Sequence, residues 1–385
     1  MILLRWERAL TALGFVVSLA GCAAVLGLEP TDVIGDADGG GEGGGDSHSV
    51  GGGDTPAFES ACASAIATLD ANGEETSAIV ADAKGIYWAV PQDASSSLIY
   101  ANVGSGNELI VGTVDDTSGN DPATILGLAL DANNLYYAAW DSYNDVLTQP
   151  AALVSYGRRG SHTVVQANIS STAPGMSQIA LTNNTLYWGN WKTAGTIGHL
   201  WSLHVPFTTT DTPTLVSGGI SSPEHFEADA IGNVYYDEVA PALTYKDPQT
   251  QVALLKSTGG PNEIDTSSSL DIQDLAVDER STVFWSDTSN GTVRMQPLGG
   301  TTAVLAAVPY PHLLAYDADN HYLYVSSSSQ DNVYSVQRIS MVNSAVEMCV
   351  DNLKLVSAVH YFGGHVYFSA ASDSGSALFD LSVKP

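Results

Sequence analysis

An all-β fold is predicted for this 385-residue chain by three observations: only 14% of its residues are charged, glycine is abundant at 37 residues, and one short phrase recurs along it. The phrase is an apolar run, a tight polar turn and two adjacent aromatic or apolar residues. Few charges and many turn-formers are poor material for amphipathic helices and good material for short strands. Length alone leaves two average domains and one large ring equally open; the recurrence decides for the ring.

At the N-terminus, Arg5 and Arg8 precede the apolar run ALTALGFVVSLAG, which is short for a membrane span and is followed by small residues, as in a secretory signal. Its end, Leu19-Ala20-Gly21-Cys22, resembles the bacterial lipobox. That resemblance implies that residues 1–21 are removed and that Cys22 becomes the acylated first residue of a membrane-anchored protein; an ordinary secretory signal with an incidental cysteine is the other reading. Each buried acyl methylene would add ~0.8 kcal/mol to anchoring. Ala23 stands where some lipoproteins carry the Asp that retains them at an inner membrane, so the expected location is the cell envelope, at the outer membrane of a Gram-negative bacterium.

Loss of residues 1–21 leaves 41 acidic residues against 11 basic ones. Such a chain is repelled by nucleic acid and by anionic membrane surfaces, which excludes a nucleic-acid partner. The acidic surface serves solubility or, alternatively, draws cations or a basic partner. Residues 22–59 follow as a lipid-anchored, acidic, Gly-rich tether, with PTDVIGDADGGGEGGGDSHSVGGGDTPA offering almost nothing to bury. About 30 residues of this kind have an r.m.s. reach of roughly 30 Å. Asp36-Ala37-Asp38-Gly39 matches the start of a calcium loop without the later ligands, so no cofactor is expected and calcium is the only metal the stretch raises.

Residues 60–385 carry the repeat. AIVADAKGIYW, LALDANNLYY, IALTNNTLYW, FEADAIGNVYY and LAVDERSTVFW are five copies, and LLAYDADNHYLYV and AVHYFGGHVYF are two weaker ones. The first aromatics, Tyr87, Tyr136, Tyr187, Tyr235, Phe284, Tyr324 and Tyr367, lie 40 to 51 residues apart. A period of that size built from short strands is the signature of β-propeller blades. Two further β-like runs separate the copies, as in LIYANV then LIVGTV, so each unit is four strands, A to D, with the aromatic pair on B. Adjacent strand residues point to opposite faces, and a blade is covered on both faces, so both rings can be buried. The prediction is therefore a seven-bladed β-propeller of four-stranded blades. The seventh unit ends after SALFDLSVKP, one strand short, and ASAIATLDANG at residues 63–73 is the spare strand that would close it without an exposed edge. This closure brings Cys62 near Cys349, as a disulfide or as two free buried thiols.

FWSDTSNGTVRMQPLGG at residues 284–300 resembles the YWTD repeat of low-density-lipoprotein-receptor-type propellers, with Trp285-Ser286-Asp287 close and YWAV, YYAA, YWGN and YYDE departing at the last position. Receptor rings of that type have six blades, one fewer than counted here. With the lipobox and tether, the chain is similar to bacterial surface lipoproteins that carry such propellers, a resemblance that supports fold more than activity.

Residues suited to chemistry are few. Asp82, Asp131, Asp229, Asp278 and Asp317 end strand A before a tight turn, where a carboxylate bonds to turn backbone; a ring of metal-binding carboxylates is the alternative. Thr182 occupies the same place in the third copy. His199 and His204, five apart on a strand, face opposite sides; His360 and His365 flank a turn and are placed to meet across a hairpin. His225 and Glu227, two apart on the fourth A strand, both fall on the channel side and make the most site-like pairing. Trp140, Trp191 and Trp201 read as packing between blades, with a ligand platform as the alternative. Gly-x-Ser-x-Gly, Ser-x-x-Lys, phosphate-loop and dinucleotide motifs are absent. The expected function is that of a membrane-tethered, non-enzymatic binding or scaffolding module for a protein or glycan partner. The alternative is a metal-dependent hydrolase or lactonase with a channel-centred divalent cation, which needs three or four converging ligands.

Overall fold

The computed structural model describes residues 62–73, 76–92, 95–101, 108–115, 123–141, 152–157, 164–166, 178–190, 198–220, 223, 225–239, 250–255, 261–265, 270–372 and 375–383. The signal, Cys22, the tether, Trp191 and the side chain of Trp140 lie outside the described residues. Every regular element among those described is a strand, and the strands form seven four-stranded antiparallel sheets.

The sheet holding the YWTD-like phrase shows the unit. Ile272–Val277, Val283–Asp287, Thr292–Gln296 and Ala303–Ala307 pair in sequence order. Burial falls from the second strand, buried throughout, to the fourth, which exposes Ala303, Val304 and Ala307. One sheet departs from sequence order. Leu355–Phe362, His365–Ser372 and Gly375–Val383 are completed by Ala63–Gly73, which runs antiparallel to the last of them with Ile66 opposite Leu381. Cys62, immediately before that strand, is joined to Cys349 in the outer strand Val346–Leu353 of the preceding sheet, with the Cα atoms 5.2 Å apart. A cross-link spanning 287 residues of sequence removes much freedom from the unfolded chain, and bridges of this kind contribute about 2–5 kcal/mol.

Hydrophobic burial explains the aromatic pairs. Each pair is split between two clusters, and every cluster joins the first ring of one sheet to the second position of the next: Tyr87 with Tyr137, Tyr136 with Trp188, Tyr187 with Tyr236, and Tyr235 with Trp285. Phe284 with Val325 and Tyr324 with Phe368 continue the series, and Tyr367 with Trp88 joins the last sheet to the first. The first strands also touch in the same order, including Ala78–Asp82 against Leu355–Phe362. Sheets meet closely enough that Gly127 admits no side chain, because a Cβ there would lie 2.8 Å from the Ile179 amide nitrogen.

In five of the seven sheets the turn after the first strand is held by an Asp. Asp82 accepts from the Lys84 amide at 2.9 Å, Asp131 from Asn133 and Asn134 at 2.6 Å each, and Asp229 from Asn233 at 2.8 Å. Asp278 accepts from Thr282 at 2.7 Å, and Asp317 from Asp319 and Asn320 at 2.9 Å each. This is the turn role expected of them. Thr182 differs: its hydroxyl donates to the Asp229 carbonyl of the neighbouring sheet at 2.8 Å. Its own turn is made by Asn183 and Asn184, both in the left-handed region at φ 48° and 56°, a conformation Asn tolerates and one that needs no capping carboxylate.

Asp317 is fully buried and also accepts from the Asn320 side chain at 3.2 Å. Replacing it by Ala strands buried donors, so Asp317→Ala is expected to lower unfolding free energy by about 2–3 kcal/mol in urea titration, and Asp317→Asn by less. An unchanged midpoint for Asp317→Ala would contradict the capping role.

Candidate channel site

The first strands of all seven sheets line one cavity of ≈ 390 Å³. Each first strand contributes to this lining the residue that stands opposite its first aromatic in the strand pairing. In five sheets the residue is small: Val80, Ala129, Ala180, Ala276 and Ala315. In the other two it is Glu227, opposite Tyr235, and His360, opposite Tyr367.

Glu227 lines this lumen and keeps an exposed surface among its walls. Burial within these walls and then the charge of Asp274 push its pKa up to about 8, against a weaker opposing bond from the Ala228 backbone. Asp274 lies on the next first strand and also lines the cavity. It accepts from the Leu275 amide at 2.9 Å and from the Leu314 amide at 2.8 Å, the latter belonging to the following sheet. Burial raises it to about 6 despite His225 and those two amides, which favour the ionised form. His360 is pushed down to about 4 by burial, with a weaker opposing bond to the Ala81 backbone, so it is neutral near pH 7.

The sequence pairing of His225 with Glu227 resolves into two roles. Glu227 lines the cavity, whereas the His225 ring bonds through Nδ1 to Asp237 Oδ2 at 3.0 Å, and its backbone amide donates to Asp237 Oδ1 at 2.8 Å. The residues His360 and His365 do not meet across their hairpin: in the register His360 pairs with Tyr367 and His365 with Phe362. His365 bonds instead to Asp380 at 2.7 Å, and that hydrogen bond raises its pKa. His199 packs against Trp201 with ring centroids 5.9 Å apart, while His204 is exposed. Trp201 itself packs against the cluster that joins Tyr136 to Trp188.

Asp274, Asp237 and the lumen position of His360 were not singled out from sequence as site residues. Alignment of the copies at the first aromatic would have found one of them, because His360 stands seven residues before Tyr367, as Val80, Ala129 and Ala180 stand before theirs, whereas Glu227 stands eight before Tyr235 and is matched to its counterparts only by strand register. Among the described residues no group of three or more His, Cys, Asp or Glu is placed to hold a metal ion.

No protein-family model matches the chain, and no curated protein matches it in sequence. Solved structures do. YCF48 bound to D1 peptide aligns with a TM-score of 0.57 at 9% identity over 83% of this chain and 96% of that one. A catalytically inactive virginiamycin B lyase from Staphylococcus aureus with quinupristin aligns with a TM-score of 0.56 at 10% identity, over 83% and 99%. The nidogen–laminin complex aligns with a TM-score of 0.46 at 13% identity, over 67% and 91%. Identities this low speak to fold alone, and the fold that the first two share with this chain is the all-β propeller.

The raised Glu227 has a signed consequence. An acid whose folded pKa exceeds its unfolded one stabilises the fold fully below the unfolded pKa, and that contribution is lost as pH rises towards the folded value, here from about 4.5 to about 8. Thermal midpoints measured from about pH 5 to about pH 9 should therefore fall more steeply for the native chain than for Glu227→Gln. Parallel curves would contradict the upward shift of Glu227.

Proposed function

We propose that this chain is an exported lipoprotein whose domain, residues 60–385, is a seven-bladed propeller of four-stranded blades closed by the strand Ala63–Gly73, and that it acts as a non-enzymatic binding or scaffolding module. Cys22 carries the lipid, residues 22–59 give reach, and the location is the outer membrane of a Gram-negative envelope. Loops on a rigid ring recognise a protein or glycan partner. The cyclic order of the shared clusters supports the ring, and the Cys62–Cys349 link supports a covalent clasp at its seam.

The observation that carries the binding reading over the hydrolase or lactonase is the commitment of the repeated aspartates. A channel-centred cation would have drawn its ligands from Asp82, Asp131 and Asp278, and each of these carboxylates accepts hydrogen bonds from its own turn. The solved structures sharing the fold include one described as a lyase and one described as bound to a peptide, so the fold supports either class.

Acyl labelling and fractionation of producing cells test the anchor. The native chain is expected to incorporate label and to sediment with membranes, whereas Cys22→Ser incorporates none and leaves the membrane fraction or retains its signal. Equal membrane association of an unlabelled Cys22→Ser chain would contradict the tether, and a stoichiometric metal in the dialysed native chain would contradict the non-enzymatic reading.

A further inference from the structure

At the level of the first aromatic, the repeat places Ala or Val in five sheets and breaks its own rule twice, at Glu227 and His360. His360 reaches the Ala81 backbone of the neighbouring sheet, but burial of the facing aromatics does not require either exception. Tyr235 and Tyr367, opposite them, are buried as fully as the aromatics opposite Ala276 and Ala315. Both exceptions line the lumen, and what they place there is acceptor chemistry. Glu227 offers a carboxyl and His360 a neutral imidazole, while the strands between them contribute mainly Ala, Leu, Ile and Val.

We propose that this lumen binds an organic ammonium ion, the cationic end of an aliphatic amine, with Glu227 as the charged partner, His360 as a neutral acceptor and the apolar walls receiving the methylenes. The volume of ≈ 390 Å³ suits a short alkyl chain. An inorganic divalent cation is a poorer match, since it requires several converging ligands and the described residues offer no group of three. A cation is a better match than a neutral guest for an acid held protonated by its surroundings, because the ammonium replaces the missing solvation of the carboxylate. The chain's net charge of −29 also concentrates cations near it.

Binding is coupled to a proton. On one side Glu227 faces Asp274, which His225 and Asp237 influence in turn; on the other, the strand Ile179–Thr182 carries no titratable group. With Glu227 at about 8, the carboxyl is largely protonated at neutral pH, so an entering ammonium converts it to carboxylate and its proton passes to the buffer. The inference holds whether or not Cys22 is acylated, and its failure would leave the proposed anchoring untouched.

The test is calorimetric titration of the full exported chain near pH 7 with hexylammonium chloride, in two buffers of different ionisation enthalpy. Saturable binding with release of up to about one proton per ligand is expected, weakened about tenfold or more in Glu227→Gln and partly retained in Glu227→Asp. Hexanol, equal in length and uncharged, should not saturate. His360→Leu, which leaves the acid in place, should weaken binding less than Glu227→Gln, and thermal melts of each variant establish that it folds. Absence of saturable binding to the native chain, equal affinity in a folded Glu227→Gln, or displacement of hexylammonium by one equivalent of calcium would overturn the proposal.

Discussion

The interaction on which this structure depends is the sharing of each aromatic pair between two interfaces. Two adjacent residues of a strand cannot both face one way, so a pair such as Phe284 and Trp285 commits its sheet to a neighbour on each side. Full burial of a large ring contributes about 2–3 kcal/mol at each such contact. A sheet carrying two such rings has no stable existence with one face wet. The series therefore runs on until the last ring, Tyr367, meets the first, Trp88.

The same constraint shapes the lumen. First strands stand close together because the rings behind them fill the space between sheets, and close approach favours Ala at most positions opposite the first aromatic. Gly127 is the extreme case, with the Ile179 amide nitrogen where a Cβ would need to be. Polar groups at this depth must answer for their own solvation. Asp274 does so through the Leu275 and Leu314 amides, which also stitches two sheets together. Glu227 has less such support, and its pKa rises. The turns at the end of these strands are tied across the interfaces in a similar way, by Tyr361 to Asp319 at 2.9 Å and Tyr316 to Glu279 at 2.8 Å.

Much of the fold was legible because it is periodic. The recurrence of Asp, turn and aromatic pair is visible in one sequence without any relative, and the spare strand at residues 63–73 follows from counting what the last unit lacks. The lumen was less legible, because it depends on register between strands. Glu227 could be placed two residues from His225, but only the pairing with Tyr235 shows which copies it should be compared with, and only the Asp237 contact shows that His225 turns its ring to a different partner. Thr182 illustrates the same limit. Its position matched the capping aspartates, yet two Asn residues in the left-handed region make the turn without it and its hydroxyl crosses to the next sheet.

If shared rings bind the sheets into one unit, no sheet should open alone. Hydrogen exchange followed by mass spectrometry in graded sub-denaturing guanidinium measures this directly, with the second strands Gly85–Gln92, Asn134–Asp141, Thr185–Asn190, Val234–Val239, Val283–Asp287, Tyr322–Ser328 and His365–Ser372 as reporters. The account predicts that all seven strands converge on one opening free energy equal to that of global unfolding. Convergence of only some of them, with one or more sheets exchanging through a separate, cheaper opening while the rest stay protected, would contradict it.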